Sequence, residues 1–374
     1  MSEDFLPIKA VDHVEFYVGN AKQAAHFYRT GFGFANTAYS GLETGNRDMA
    51  SYVMEQGKIR LVVTAALGPD SPIARHAHTH GDGVAIIGLE VPDAASAYKE
   101  ATSRGATGAI PPTQVEDEHG VLRYSGIRCY GNTIIKFVDR SDYNGPFAPG
   151  YQPRNGYYEN ENGRSPRQRP KGIGLAHIDH MVGNVELGAM NRWVDFFAHT
   201  MGFSQLIHFD NEDISTEYSA LMSKVMQDGT GKVKFPINEP AEGKKKSQIQ
   251  EYLDYYYGPG VQHLACSTGN IIETVTQLQE NGIEFLRVPT TYYEELEDRV
   301  GKINEPVDKL AELGILVDRD EEGYLLQIFT KPVQDRPTVF YEIIERHGSR
   351  GFGKGNFKAL FEAIEREQEL RGNL

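Results

Sequence analysis

Cysteine, tryptophan and long apolar runs are scarce in this chain. Its 374 residues include two cysteines and one tryptophan, and two cysteines are too few for the disulfide framework of a secreted protein. No stretch reaches the roughly 20 apolar residues that a membrane-spanning helix needs, and the acidic N-terminus shows no apolar signal-peptide core. We therefore expect a cytoplasmic protein that has no membrane partner.

Positive charge is also in deficit, because 38 lysines and arginines face 52 aspartates and glutamates, for a formal net charge of −14. A surface this acidic repels phosphate backbones, so we expect no nucleic-acid partner. Hydrophobic residues make up 40% of the chain and charged residues 24%, which is ordinary for a globular protein. The length favours two domains over one.

The chain divides at a stretch that is rich in proline, glycine, asparagine and arginine. Residues 141–174 belong to this stretch and show no apolar periodicity, which is typical of a surface linker. We predict an N-terminal domain at residues 1–145, a linker at 146–174 and a C-terminal domain at 175–374.

The two parts on either side of the linker resemble each other. Three stretches match in the same order: 11–14 with 178–181, 81–86 with 258–263, and 136–140 with 342–346. Each copy reads as a strand, a helix and then several strands, and the second copy carries insertions, one of them around residues 290–314. The sequence predicts an α+β fold in which duplicated βαβββ modules form two half-open barrels. This arrangement resembles the vicinal-oxygen-chelate, or glyoxalase-like, architecture.

The repeat singles out three candidate metal ligands in the second copy. His180 takes the place that His13 holds in the first copy, whereas His177 falls on the opposite face of the same strand. His263 opens a strand, and Glu342 lies in an apolar run where an unpaired carboxylate would be costly. Two imidazoles and one carboxylate form a facial triad that suits iron(II) and leaves coordination positions open. Ligand type alone leaves manganese and zinc as alternatives.

The first copy lacks this donor set. Its corresponding positions hold His13, Ile86 and Lys136, and an isoleucine and a lysine cannot replace a histidine and a carboxylate. We predict that the N-terminal domain binds no metal and serves as a scaffold. The histidine-rich stretch at residues 76–80 lies between prolines and a glycine, which favours a loop over a metal site.

Several stretches of the second copy are similar to the 4-hydroxyphenylpyruvate dioxygenase family. They are residues 236–240, 246–250, 260–263, 326–332, 340–344 and 351–357, which read PINEP, KSQIQ, GVQH, LQIFTKP, FYEII and GFGKGNF. The resemblance implies one iron(II) per chain, held by His180, His263 and Glu342. It also implies that a small keto acid, 4-hydroxyphenylpyruvate, reacts with O2 to give homogentisate and carbon dioxide in tyrosine catabolism. We further expect a homo-oligomer, either a dimer or a tetramer.

The same resemblance places ten polar and aromatic side chains in the substrate pocket and implies no catalytic residue beyond the metal ligands and the pocket amides. The ten are Ser219, Asn238, Gln248, Gln262, Gln327, Phe329, Phe340, Phe352, Asn356 and Phe357. Neutral donors and acceptors suit a phenol hydroxyl and a keto acid that a metal already chelates. Residues 356–371 show helical apolar spacing, and in the family this C-terminal helix is a lid over the pocket.

Three other functions stay open at this point. A 4-hydroxymandelate synthase has the same fold, metal and substrate but oxidises the benzylic carbon. An extradiol ring-cleaving enzyme on this fold would accept catechols and release no carbon dioxide, and a metal-free small-molecule binding protein would hold no iron. Phe329 and the intact PINEP stretch at 236–240 favour the dioxygenase.

Overall fold

The computed structural model describes residues 4–154, 172–209, 220–241 and 243–373. None of the helices in these ranges is both long enough and apolar enough to cross a membrane. Both cysteines are buried and unpaired. The division into domains at 1–145 and 175–374 stays a prediction, and residues 155–171 of the predicted linker lie outside the described ranges.

The first half of the chain contains nine strands and three α-helices among the described residues. They are β1 (Ala10–Tyr17), α1 (Ala21–Thr30), β2 (Ala35–Ser40), β3 (Met49–Gln56), β4 (Ile59–Ala66), α2 (Pro72–His80), β5 (Gly83–Glu90), α3 (Ala94–Ser103), β6 (Gly108–Asp117), β7 (Gly120–Arg128), β8 (Ile134–Tyr143) and β9 (Gln152–Pro153).

The second half contains eight strands and seven α-helices within the described ranges. They are β10 (Leu175–Asn184), α4 (Met190–Met201), β11 (Ser204–Phe209), β12 (Ala220–Gln227), β13 (Lys234–Ala241), α5 (Gln248–Tyr256), β14 (Gly260–Thr268), α6 (Ile271–Glu280), α7 (Thr291–Glu294), α8 (Leu296–Val300), α9 (Val307–Leu313), β15 (Leu316–Arg319), β16 (Tyr324–Phe329), β17 (Phe340–His347) and α10 (Phe357–Leu370).

The two halves form two curled sheets of the same topology. The first has the strand order β6-β7-β8-β5-β1-β4-β3-β2-β9, and the second has the order β15-β16-β17-β14-β10-β13-β12-β11. The two orders match strand for strand, apart from the short β9, which pairs with β2 and lies within the predicted linker. The predicted duplication of βαβββ modules is confirmed. The structure adds that each half contains two such units, one beginning at β1 or β10 and the other at β5 or β14.

The strand register reproduces the sequence alignment of the two halves. In the first sheet His13 lies opposite Gly88, and Gly88 lies opposite Lys136. In the second sheet the same two steps lead from His180 through Ala265 to Glu342. Ile86 and His263 also correspond, because they pair with Glu15 and Val182, each two residues after the first histidine of its sheet.

The histidine-rich stretch at 76–80 forms the end of helix α2, so the prediction of a loop is wrong. Ser71 caps this helix by accepting a hydrogen bond from the backbone N–H of Ala74 at 3.1 Å. Pro72 occupies the first helical position, where its missing N–H costs nothing. A capping serine followed by proline is a helix start, and this signal outweighs the loop-like composition around it.

The first half also supports the strand that carries Glu342. Tyr341, its neighbour on β17, is fully buried, and its hydroxyl lies 2.9 Å from the hydroxyl of Tyr28 on α1. The ring of Phe32 packs 4.8 Å from the ring of Tyr341. The N-terminal half is therefore part of the packing that fixes β17.

The hairpin turn between β3 and β4 contacts the beginning of β10. The backbone N–H of Lys58 donates to the carbonyl of Ala176 at 2.6 Å. Gly57 has a φ of +54°, and a Cβ at that position would lie 2.5 Å from the carbonyl oxygen of Leu175. The turn therefore needs glycine both for its backbone conformation and for the close approach of the two sheets.

We expect Gly57→Ala to lower the free energy of unfolding by about 2–3 kcal/mol, because the backbone oxygen cannot move aside as a flexible side chain could. Gly45→Ala is the matched control: its φ is +86°, but no heavy atom lies within 4 Å of the added Cβ. This variant should lose only about 1 kcal/mol. Urea unfolding measures both, and equal losses would contradict the steric argument.

Candidate metal centre and substrate pocket

The candidate ligands share the interior face of three neighbouring strands. On β14, Leu264 and Cys266 belong to the hydrophobic core, so the alternate residue His263 faces the interior of the curled sheet. On β17, Tyr341 and Ile343 belong to the core, and Glu342 faces inward for the same reason. Strand alternation therefore places His263 and Glu342 on the face opposite to these core residues.

His180, His263 and Glu342 converge. The Nε2 atom of His180 lies 3.1 Å from Oε2 of Glu342, and the Nε2 atom of His263 lies 3.4 Å from the same oxygen. All three residues are buried, and their ligand atoms lie within 4.8 Å of one another. Their arrangement can hold a metal ion, as two imidazoles and a carboxylate on one side of it.

Burial disfavours charge on all three groups, and their mutual contacts decide each pKa. Burial acts to raise the pKa of Glu342, but the charges and hydrogen bonds of His180 and His263 outweigh it and lower that pKa to about 2. Burial acts to lower the pKa of His180, yet Glu342 and Asp179 raise it above its ordinary value. Burial lowers the pKa of His263 despite its contact with Glu342. Glu342 is therefore ionised at neutral pH, which is the form that a metal ligand requires.

The second ring nitrogen of each histidine is held by a neighbouring side chain. Asp179 lies 2.8 Å from Nδ1 of His180, and Oε1 of Gln262 lies 3.0 Å from Nδ1 of His263. The guanidinium group of Arg346 donates two hydrogen bonds of 2.8 Å each to the carboxylate of Asp179. Such partners fix the ring orientation and the tautomer of a metal-binding histidine, so both Nε2 atoms are left to face Glu342.

The first half repeats the supporting contacts without the donor set. Asp12 lies 2.6 Å from Nδ1 of His13, and Arg140 donates to Asp12 at 2.9 Å. The ring of Phe147 lies 5.1 Å from the ring of His13, as the ring of Phe352 lies 5.0 Å from His180. The isoleucine and lysine at the other two positions make the difference between the halves.

A pocket of about 610 Å³ opens beside the three converging residues. Seven of the ten predicted pocket residues line it: Asn238, Gln248, Gln262, Phe329, Phe340, Phe352 and Phe357. The pocket is therefore mostly aromatic, with a few neutral amides, and its charged lining comes from the candidate metal ligands.

Two predicted pocket residues do not line this cavity, and one cannot be placed. Gln327 is buried beneath Gly353, and both atoms of its amide group are without a hydrogen-bond partner. Asn356 is buried as well and accepts a hydrogen bond of 2.6 Å from the hydroxyl of Tyr292. Ser219 lies outside the described residues.

Sequence reasoning missed a serine that does line the pocket. Ser223 on β12 lies directly opposite Asn238 on β13 and is buried. The sequence contained a signal for it: Leu221, Ser223 and Val225 are every second residue of one strand, so Ser223 shares a face with two apolar side chains. Apart from the candidate metal ligands, the other lining residues that were not among the ten predicted pocket residues are apolar: Val182, Phe209, Leu221, Val225, Pro236, Leu360, Phe361 and Ile364.

Three phenylalanines surround the two histidines. The ring of Phe340 stacks on that of His263, with 4.8 Å between centroids and an angle of 20°. Phe329 presents its edge to the same histidine, and Phe352 packs against His180. Aromatic walls of this kind can orient a substrate ring by stacking and edge contacts.

The C-terminal helix α10 closes one side of the pocket with apolar residues that recur at helical spacing. Ion pairs on its other side connect the same helix to α5 and to Lys331. Arg371 lies 2.8 Å from Glu251 on α5, and Lys331 lies 3.0 Å from Glu367. The helix therefore occupies the position that a lid requires, and its opening and closing stay a prediction.

The profile of the glyoxalase, bleomycin resistance protein and dioxygenase superfamily matches residues 10–130 and 174–328. A 4-hydroxyphenylpyruvate dioxygenase from Dictyostelium discoideum is 48% identical over 373 residues, covering 98% of this chain and 100% of that protein. The protein of the same name from Danio rerio is 46% identical over 370 residues, covering 97% of this chain and 91% of that protein. The chain belongs to the 4-hydroxyphenylpyruvate dioxygenase family.

Two solved structures resemble this family member throughout its length. A triple variant of 4-hydroxymandelate synthase from Streptomyces coelicolor has a TM-score of 0.84 and 31% identity, and the match covers 97% of this chain and 100% of that one. A fusion of a xylose isomerase-like TIM barrel with 4-hydroxyphenylpyruvate dioxygenase has a TM-score of 0.72 at 20% identity, covering 96% of this chain and 53% of that one. At that identity the second match shows the fold alone. Membership of this dioxygenase superfamily implies a metal, and the buried triad is a donor set that fits one.

Proposed function

We propose that this protein is an iron(II)-dependent dioxygenase that converts 4-hydroxyphenylpyruvate and O2 to homogentisate and carbon dioxide in tyrosine catabolism. One observation carries the proposal: a buried His–His–Glu group borders a pocket lined mostly by aromatic and other apolar side chains. It occurs in a chain that is 48% identical, over nearly its whole length, to a 4-hydroxyphenylpyruvate dioxygenase.

His180, His263 and Glu342 are the residues that would hold iron(II). Nitrogen and oxygen donors without thiolate suit this ion, and three protein ligands leave positions for other molecules. When bound, the ion supplies a chelation site for the keto acid and the redox chemistry that activates dioxygen. The chain contributes the geometry, since Asp179 and Gln262 hold both imidazole rings in place.

The pocket side chains bind and orient the substrate. Phe329, Phe340 and Phe352 provide aromatic surfaces for the ring of the substrate. Ser223 and Asn238, opposite each other on β12 and β13, provide neutral hydrogen-bonding groups for polar atoms of the substrate. Buried polar groups of this kind bind selectively, because a ligand that leaves them without partners is penalised.

Helix α10 excludes water from the reaction in this proposal. Its apolar residues Phe357, Leu360, Phe361 and Ile364 cover the pocket. Exclusion of water suppresses side reactions of activated oxygen species and strengthens the polar contacts inside the site. A cytoplasmic location and a homo-oligomeric state stay predictions from the sequence.

We expect Phe340→Ala to raise the KM for 4-hydroxyphenylpyruvate about tenfold, equivalent to about 1.4 kcal/mol, because the stacked aromatic wall is lost. Iron content should stay unchanged, because Phe340 supplies no ligand atom. Phe27→Ala, on the exposed side of α1, is the matched control and should leave KM unaltered. Steady-state kinetics and metal analysis separate the two results, and an unchanged KM in Phe340→Ala would remove Phe340 from the substrate site.

A 4-hydroxymandelate synthase is the second candidate, because a variant of that enzyme has the same fold over the whole chain. The decisive experiment loads the protein with iron(II) without oxygen, adds 4-hydroxyphenylpyruvate and then admits O2. Homogentisate together with carbon dioxide supports the proposal. 4-Hydroxymandelate with carbon dioxide would assign the second function, and no carbon dioxide at all would exclude both.

A further inference from the structure

A second group of metal-binding side chains lies on the other face of β17. Glu345 is three residues from Glu342 and faces away from it, and His347 shares the face of Glu345 because strand side chains alternate. Glu305 joins them from the connection between α8 and α9, within the predicted insertion. Nε2 of His347 lies 3.1 Å from Oε1 of Glu345 and 3.2 Å from Oε1 of Glu305.

The spacing of this group matches that of the first. In each group one central ligand atom lies 3.1–3.4 Å from the other two. In the first group the two contacts of Glu342 with the histidines measure 3.1 and 3.4 Å. Metal–ligand bonds of about 2.1 Å at tetrahedral or octahedral angles place neighbouring ligand atoms about 3.0–3.4 Å apart.

Hydrogen bonding alone satisfies the second group poorly. One imidazole nitrogen carries at most one proton, yet Nε2 of His347 faces two carboxylate oxygens at almost equal distances. The other oxygen of Glu305 is shielded from solvent and has no hydrogen-bond partner. Among the residues that the structure describes, no lysine or arginine forms an ion pair with Glu305 or Glu345. A divalent cation would neutralise both carboxylates at once.

Other contacts hold all three side chains in position, and for Glu305 the contact is a long hydrogen bond of 3.4 Å that Oε1 accepts from the hydroxyl of Tyr324. The ring of His347 stacks on Tyr324, with 4.5 Å between centroids and an angle of 8°. Oε2 of Glu345 accepts a hydrogen bond of 2.7 Å from the backbone N–H of Ile271 at the beginning of α6. The imidazole keeps 30% of its side-chain surface exposed, which leaves a path for an ion to enter.

We propose that Glu305, Glu345 and His347 form a second divalent-cation site, separate from the iron centre, which binds zinc(II). One imidazole and two carboxylates are a donor set that zinc accepts, with water in the fourth position. The bound ion would cross-link the connection between α8 and α9 to the end of β17. From that end the chain continues through Gly351 and Gly353 to the lid helix, so the site would stiffen the base of the lid.

Metal stoichiometry tests this proposal in the full-length chain. The protein is stripped with a chelator, dialysed against micromolar zinc and analysed for zinc per chain. The wild type should bind two ions, and His347→Gln and Glu342→Gln should each bind one. His199→Gln, which changes an exposed histidine on α4, is the matched control and should still bind two.

Thermal unfolding tests the second site separately from the iron centre. In the Glu342→Gln background, zinc should raise the unfolding midpoint, because a ligand that binds only the folded state stabilises it. Zinc should have no such effect once His347→Gln is added. If His347→Gln, on β17, fails to fold, Glu305→Gln provides the same test, because Glu305 lies in the connection between α8 and α9 and outside the sheet. One zinc per wild-type chain, unaffected by Glu305→Gln and His347→Gln, would show a histidine–carboxylate cluster without a metal and overturn the proposal.

Discussion

His180→Gln should abolish stoichiometric iron binding and lower turnover of 4-hydroxyphenylpyruvate at least about 1,000-fold. That factor corresponds to about 4 kcal/mol of transition-state stabilisation, which is a reasonable contribution for a metal centre. The glutamine side chain keeps a polar group of similar size, but it no longer places an imidazole Nε2 near Glu342. Iron per chain after anaerobic loading and single-turnover product formation measure the two effects.

His177→Gln is the control for this prediction, because it changes a histidine on the same strand. The ring of His177 lies 2.7 Å from the hydroxyl of Ser267, away from the three converging residues. This variant should keep its iron and its turnover within about twofold, an effect of about 0.4 kcal/mol. If His177→Gln lost iron while His180→Gln retained it, the choice between the two faces of β10 would be wrong.

Arg346→Leu should have the second large effect, on stability and on metal affinity together. Arg346 makes a two-point ion pair with the buried carboxylate of Asp179, and removal of one partner from a buried pair typically costs ~3–5 kcal/mol. The side chain of Arg346 is 19% exposed, so we expect the lower end of that range. Asp179 also orients His180, and loss of such support typically weakens metal binding about 10–100-fold.

Arg140→Leu separates the structural contribution from the metal contribution. Arg140 makes the equivalent pair with Asp12 beside His13 in the first half, where Arg60 gives Asp12 a further partner at 3.2 Å. We expect a smaller loss of stability and no change in iron affinity. Chemical unfolding and competitive metal titration measure the two quantities, and equal losses of iron affinity in both variants would disconnect Arg346 from the metal centre.

The internal repeat was the most informative feature of the sequence for predicting the metal ligands. His180 could be preferred to His177 because His13 holds the matching place, and the strand register aligns Lys136 with Glu342 as the sequence comparison did. The register follows the sequence here because a strand that slipped by one residue would turn its buried face outward. The presence of two βαβββ units in each half was missed, because the motifs compared came from single strands.

The pocket wall was predicted less completely. Ser223 lines the described pocket but was not predicted, Ser219 lies outside the described residues, and Gln327 and Asn356 are buried beside the pocket without lining it. A polar residue in a matching stretch can face the substrate or pack beneath it. That choice depends on neighbouring strands and on the helix that covers them.

The sequence by itself determined the duplicated fold and singled out His180, His263 and Glu342 as candidates, because strand alternation and an internal repeat can be read directly from the order of the residues. The tertiary structure alone decided which side chains enclose the pocket. It also decided how Arg346 and Asp179 support His180, and that Glu305 meets Glu345 and His347. These contacts join segments that lie far apart in the chain, and their distances depend on how strands pair and helices pack, which no local pattern encodes.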